Sequence, residues 1–106
     1  MTSLNQLSAG ALRQGYLRRE LSPVEVLEAV AARLDQTRRF NAFITPLLDA
    51  ALEKAQRAEK LYLSGETDSQ PLLGVPIAVK DNYDMEQVRT TYGSSIFADH
   101  LPRETA

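Results

Sequence analysis

Between Ser8 and Gly65 apolar side chains return every three or four residues, the period of helices that bury one face, and capping residues punctuate the pattern. Ser8 is expected to cap a helix running to about Arg19 that buries Leu12 and Tyr16 at i,i+4 spacing, with Ser3 and Gln6 marking a rival start. The stretch "SPVEV" puts Ser22 at an N-cap, Pro23 at the first helical position and Glu25 where a capping box closes, so a second helix is predicted from there to about Gln36. Its inward residues would be Val24, Leu27, Val30, Ala31 and Leu34, with Glu25, Glu28, Arg33 and Asp35 in water. A third helix is predicted with Thr45 as cap and Pro46 as opener, a stripe of Leu48, Ala51, Leu52, Ala55 and Tyr62, an exposed Glu53–Arg57 pair, and a stop at Gly65. Phe40 and Phe43 read as core anchors between helices, and the polar run Ser64 to Pro71 as a connection.

From Gly74 the pattern changes. The segment "VPIAVK" is short, apolar, partly β-branched and bounded by glycine, proline and "DN", which predicts a strand from Ile77 to Lys80 with Pro76 as its lead-in. An unbroken apolar strand is usually covered on both faces, and the only other candidate, Gln87 to Tyr92, is weak. The expected fold class is therefore α/β: three amphipathic helices within residues 1–65, then one or two strands of a mixed sheet within residues 72–106, the sheet's other members lying outside these residues. The ending "DHLPRETA" brings no docking helix, which adds to the expectation of an incomplete domain.

Composition narrows the functional classes. The 106 residues are 43% hydrophobic and 25% charged, ordinary for one soluble domain, and the formal net charge of -2 favours neither nucleic acid nor an anionic membrane as a direct partner. No cysteine is present, so disulfides and thiolate metal sites are excluded, and a reducing, cytoplasmic setting is the expectation. His100 is the single histidine and has no second ligand at helical spacing, so it is assigned no role. The start "MTSLNQLSAG" lacks the basic and apolar regions of a secretory leader, and nowhere do about 18 apolar residues run together. Arg38 and Arg39 stand at a helix end, where they complement the macrodipole and lack an aromatic platform for nucleic acid.

Lys80 is the candidate for chemistry. An ammonium at the rim of an apolar region is desolvated, which disfavours its charged form and lets a partly neutral amine serve as a base for a hydroxyl nucleophile. The plain alternative is a solvated strand end. Asp81 and Asp84 would stabilise the ammonium if they faced it, and the residues alone leave their direction open.

The block "PLLGVPIAVKDNYD" followed by "VRTTYGSS", with "LSPVEVLEA", "NAFIT" and "LPRETA" in the same order, resembles the N-terminal portion of the amidase signature family. That family includes bacterial amidases, fatty acid amide hydrolase and the A subunit of the aminoacyl-tRNA amidotransferase. The resemblance implies that Lys80 is the catalytic base of a Ser-cisSer-Lys triad and that the reaction is amide C–N hydrolysis of a small-molecule substrate through an acyl-enzyme. It implies no metal and no organic cofactor. Both triad serines belong to a glycine- and serine-rich segment downstream of Ala106, so the chain is expected to need the C-terminal remainder of its own domain and to be inactive by itself. Ser94 and Ser95 fall in the family's "TT-x-G-S" block and are read as turn residues, while Thr90, Thr91 and Gly93 either shape the cleft or satisfy turn hydrogen bonds. Gln87 departs from the glycine that many members carry there. Two alternatives stand: the amidotransferase A subunit, which would require partner subunits and ATP, and a small non-catalytic helical interaction module. Homodimerisation is left open.

Overall fold

A computed structural model describes residues 3–67 and 69–106. Three helices form where the period places them: α1 (Ala9–Leu17), α2 (Pro23–Gln36) and α3 (Leu48–Ser64). Short 3-10 turns occupy Leu4–Gln6, Arg38–Phe40 and Ser95–Phe97. Backbone contacts divide the chain into two compact units, one drawn from Met1–Ala42 and Pro46–Pro76, the other from Phe43–Thr45 and Ile77–Ala106.

The first unit holds the helices, and their caps follow from side-chain chemistry. The Ser8 hydroxyl accepts from the Ala11 amide at 3.1 Å and the Ser22 hydroxyl accepts from the Glu25 amide at 3.1 Å, each satisfying a first-turn donor that has no helical partner. Ser3 precedes the Leu4–Gln6 turn and makes no side-chain cap. At the far end of α3, Gly65 adopts φ +82 and the Glu66 amide reaches back to the Leu61 carbonyl at 3.2 Å, a left-handed stop that glycine enters without steric cost. The α3 start is a correction: the helix opens at Leu48, two residues after Pro46, and Thr45 makes no cap. Its hydroxyl instead accepts from the Arg89 guanidinium at 3.1 Å within the second unit.

The core gathers Leu12, Tyr16, Val26 and Tyr62, with Leu4, Leu7, Leu21, Leu73 and Val75 packed round it. The Tyr16 and Tyr62 rings meet at 5.1 Å in a tilted arrangement that favours their quadrupoles. Leu12, Tyr16, Leu27, Ala55 and Tyr62 are buried as expected, whereas Val24, Val30, Ala31 and Leu34 are half-buried and Val26 takes the deepest place on α2. Phe40 and Phe43 are not core anchors: they are 64% and 44% exposed, and Phe40 is covered on one face by the Arg39 guanidinium 4.5 Å above its ring. The pair Glu53–Arg57 does not form; the ion pair among the described residues is Asp35 with Arg38 at 2.9 Å. Both candidates are solvent-facing, where water competes with either geometry. The connection Ser64 to Pro71 is confirmed as non-helical after Ser64, with Asp68 outside the described residues.

The second unit overturns the strand expectation. Among the described residues there is no strand, and the α/β reading is replaced by a helical architecture with an irregular second unit. Residues 77–80 carry no regular secondary structure and no ladder partner, with Ile77 79% exposed and Val79 44% exposed. An extended apolar segment becomes a strand only when a neighbour supplies its ladder, and no backbone hydrogen bond reaches 77–79 among the described residues. The weak candidate Gln87 to Tyr92 contributes only an isolated antiparallel bridge between Val88 and Met85. The cause is a tight turn at Met85–Val88, closed by the Val88 amide on the Met85 carbonyl at 3.0 Å, with Gln87 at φ +57 in its third position. That conformation is the one for which glycine or asparagine is preferred, so the departure at Gln87 falls on a position with a physical demand for glycine. The last residues run back alongside this turn, the Gln87 amide donating to the Pro102 carbonyl at 2.9 Å and the Thr90 amide to the His100 carbonyl at 3.1 Å.

Candidate functional site

The approach to Lys80 is fixed first. The Tyr62 hydroxyl donates to the Leu73 carbonyl at 2.7 Å and the Tyr16 hydroxyl to the Gly74 carbonyl at 2.8 Å, so two core phenols hold consecutive carbonyls of the segment that leads towards the lysine. Burial raises the pKa of Tyr16 to about 12, with the Tyr62 phenol beside it adding to the effect, and burial also raises Tyr62. Both therefore stay protonated donors. Gly74 has φ +77, and a Cβ there would stand 2.9 Å from Pro23 Cγ and 3.2 Å from the Tyr16 ring. Only glycine fits this close pass of backbone over α1 and α2.

Lys80 lies in the second unit as the first residue of a turn closed by the Tyr83 amide on its carbonyl at 3.1 Å. Its side chain is exposed, and no ion pair or side-chain hydrogen bond engages its ammonium among the described residues. The two neighbouring carboxylates are committed elsewhere. Asp81 accepts from the Thr91 amide at 2.8 Å through one oxygen and from the Thr91 hydroxyl through the other, and Asp84 accepts from the Tyr92 hydroxyl. The Asp81 carbonyl is held as well, by the Tyr92 amide at 2.9 Å.

These contacts set the ionisation of the partners. The Thr91 hydroxyl and then its amide hold the Asp81 carboxyl below the usual range, with the Arg89 charge contributing further, because each favours the anion. The hydrogen bond to Asp84 pushes the Tyr92 phenol up. Thr91 is 5% exposed and Thr90 3%, so their polar groups need partners. The Thr91 hydroxyl accepts from the Gly93 amide at 3.2 Å while donating to Asp81, and the Thr90 hydroxyl donates to the Val88 carbonyl at 3.0 Å. The "TTYGSS" segment is thus a network of turn hydrogen bonds. Ser94 belongs to it, its hydroxyl accepting from the Ile96 amide at 3.2 Å, and Ser95 opens the 3-10 turn. His100 packs its ring on Tyr92 at 5.9 Å and on Phe97 at 5.6 Å.

Sequence reasoning singled out Lys80 but missed the residues that organise its surroundings. Arg89, which donates to the Ala98 carbonyl and to Thr45, carried no periodic signal. The Asp81–Thr91 clamp joins residues too distant for any local capping rule, and the paired threonines beside a turn glycine were its only trace. Among the described residues no group of three or more histidine, aspartate or glutamate side chains could hold a metal, and no helix is long and apolar enough to cross a membrane. The surface concavities at Pro46–Ala50 and between Leu4 and Arg33 do not include Lys80.

Comparison with known proteins supplies the family. The Amidase family model matches residues 25–106. The chain is 36% identical over 103 residues to the A subunit of the glutamyl-tRNA(Gln) amidotransferase of Xanthobacter autotrophicus, covering 97% of this chain and 20% of that protein. It is 44% identical over 85 residues to the corresponding protein from Anaplasma phagocytophilum, covering 80% of this chain and 17% of that protein. To the mitochondrial counterpart of Homo sapiens it is 35% identical over 100 residues, covering 94% of this chain and 18% of that protein. The chain spans about a fifth of the length of the curated relatives it matches. With the family model matching from the second helix through the lysine turn to the last residue, the chain belongs to the amidase family.

Proposed function

We propose that this chain supplies Lys80 as the general base of an enzyme that splits amide C–N bonds, the nucleophilic and bridging serines coming from further polypeptide. The Lys80 amine accepts a proton from the bridging serine, which accepts one from the nucleophile. The nucleophilic Oγ then adds to the amide carbonyl, and the lysine returns its proton through the bridging serine to the leaving nitrogen as the tetrahedral intermediate expels ammonia or an amine. Water, deprotonated by the same route, releases the acyl group and restores the serine. The observation that carries the reading is that Lys80 stands at a turn with the carboxylates of Asp81 and Asp84 hydrogen-bonded to Thr91 and Tyr92 and not to its ammonium. Its exposure means that the desolvation expected of it is not supplied by the described residues. The exposure of Ile77 and Ile96, 79% and 86%, fits a surface that further polypeptide covers. The test is Lys80→Met in the longer polypeptide that carries this segment. Turnover is expected to fall by roughly 100- to 10,000-fold, the range for loss of a general base. Unchanged turnover would end the assignment, whereas Lys80-dependent hydrolysis by the 106 residues alone would show that the nucleophile lies within them and not in further polypeptide.

A second reading is favoured by the names of the relatives: the ammonia released is passed on to glutamyl-tRNA(Gln), with this chain belonging to an amidotransferase A subunit. Partner subunits co-purifying with the longer polypeptide, and amide nitrogen appearing on the tRNA-bound glutamate, would select this reading. Free ammonia as the sole product in every preparation would select the stand-alone amidase.

A further inference from the structure

We infer that Thr91 is a positioning residue that holds the Asp81 carboxylate away from Lys80, so that the amine preceding it in the chain carries no counter-ion among the described residues. The inference deepens the proposed role of Lys80 and rests on that reading for its meaning, though its primary test does not. A free aspartate beside a lysine ordinarily favours the ammonium and would withhold the amine from base chemistry. Here both Asp81 oxygens are taken by one buried residue, the first by its amide at 2.8 Å and the second by its hydroxyl. The hydroxyl is itself aimed by the Gly93 amide at 3.2 Å, which leaves its proton for Asp81. The backbone closes the clamp, since the Asp81 carbonyl accepts from the Tyr92 amide at 2.9 Å. The second nearby acid, Asp84, is taken by the Tyr92 hydroxyl. The charged and titratable groups round the clamp are therefore Lys80, Asp84, Arg89, Tyr92 and, against the Tyr92 ring, His100. Arg89 favours the Asp81 anion, and its own hydrogen bonds go to Ala98 and Thr45.

The test reads the Lys80 amine directly, by competitive labelling with acetic anhydride across pH and peptide mass spectrometry on the longer polypeptide. Thr91→Val removes the hydroxyl's hold on one Asp81 oxygen and leaves only the amide on the other. The loosened carboxylate can turn towards Lys80, and the labelling midpoint should rise by about half a pH unit, a roughly threefold loss of reactivity at fixed pH below it. Thr91→Ser keeps the hydroxyl and should leave the midpoint in place. Asp81→Asn should change little when Thr91 is present and should restore reactivity in the Thr91→Val background. An unchanged midpoint in folded Thr91→Val would overturn the inference. So would a threefold gain in reactivity on Asp81→Asn alone, since the carboxylate would then already be paired with the lysine. That single variant decides the matter where Thr91→Val fails to fold. If the labelling pattern holds while Lys80→Met retains turnover, the clamp stands and the catalytic reading falls.

Discussion

Replacing Tyr16 by phenylalanine removes one oxygen and leaves the ring that packs on Tyr62 in place. The residue is 1% exposed, and its hydroxyl is the donor to the Gly74 carbonyl at 2.8 Å. A carbonyl deprived of its donor costs about 1–3 kcal/mol when buried, and this one is half-buried, so the variant should lose roughly 1.5 kcal/mol, about a tenfold rise in the unfolded fraction. In urea, with a slope of about 1–1.5 kcal/mol/M for a small domain, the helical signal at 222 nm should collapse about 1 M earlier. Base provides a second handle. Below the ordinary phenol value near 10 both folded and unfolded chains keep the proton and the hydrogen bond contributes in full; as pH rises towards about 12, the unfolded chain alone ionises and stability drains away. Two pH steps at about 1.36 kcal/mol each put that loss at roughly 2–3 kcal/mol for the wild type. The variant should show a smaller loss over the same window, the remainder belonging to Tyr62, whose phenol burial also raises. A phenylalanine variant with an unchanged urea midpoint and an unchanged base limb would refute the view that the two phenols tether the Leu73–Gly74 carbonyls.

Gly74→Ala should be among the more damaging single changes in the first unit: φ is +77 and the new Cβ would lie 2.9 Å from Pro23 Cγ, so a loss of about 1–3 kcal/mol is expected in thermal unfolding. Gln87→Gly should act in the other direction, leaving stability unchanged or raising it by up to about 1 kcal/mol, because Gln87 sits at φ +57 in the Met85–Val88 turn. Ser22→Ala removes the acceptor of the Glu25 amide and should cost about 1 kcal/mol, with Ser22→Asp restoring it. The Asp81 clamp should be acid-sensitive: its folded pKa is depressed, so its contribution is complete above the ordinary aspartate range and is lost as pH falls through the lowered value. Hydrogen exchange at the Thr91 amide should accelerate over that acid window beyond its intrinsic rate, and Asp81→Asn, which removes the titrating carboxyl, should abolish the effect.

Helices were legible because their signals are local. Ser8, Ser22 and Gly65 act on backbone groups within a few residues, and the structure places all three at helix ends. Thr45 shows where locality fails, since its hydroxyl could serve the α3 amides or a distant guanidinium, and Arg89 takes it. Val26 shows the same limit in packing: its depth depends on which side of α2 meets α3 and the Leu4–Gln6 turn, a tertiary choice that a single-helix stripe does not contain.

The lysine segment marks a different boundary. An apolar run such as Ile77-Ala78-Val79 reports the environment it suits, whereas a strand is a relation between two chains of peptide groups. The described residues provide that run with no ladder partner, and its residues are exposed. What they do provide is the turn that follows, and there the chemistry is closed: Thr91 for Asp81, Tyr92 for Asp84, and an amide for the Lys80 carbonyl. The carbonyls of Lys80 and Asp81 and the carboxylates of Asp81 and Asp84 thus find partners without recruiting the lysine ammonium. A turn built this way commits its acids to Thr91 and Tyr92 and leaves the Lys80 side chain exposed, the arrangement on which its proposed role as a base rests.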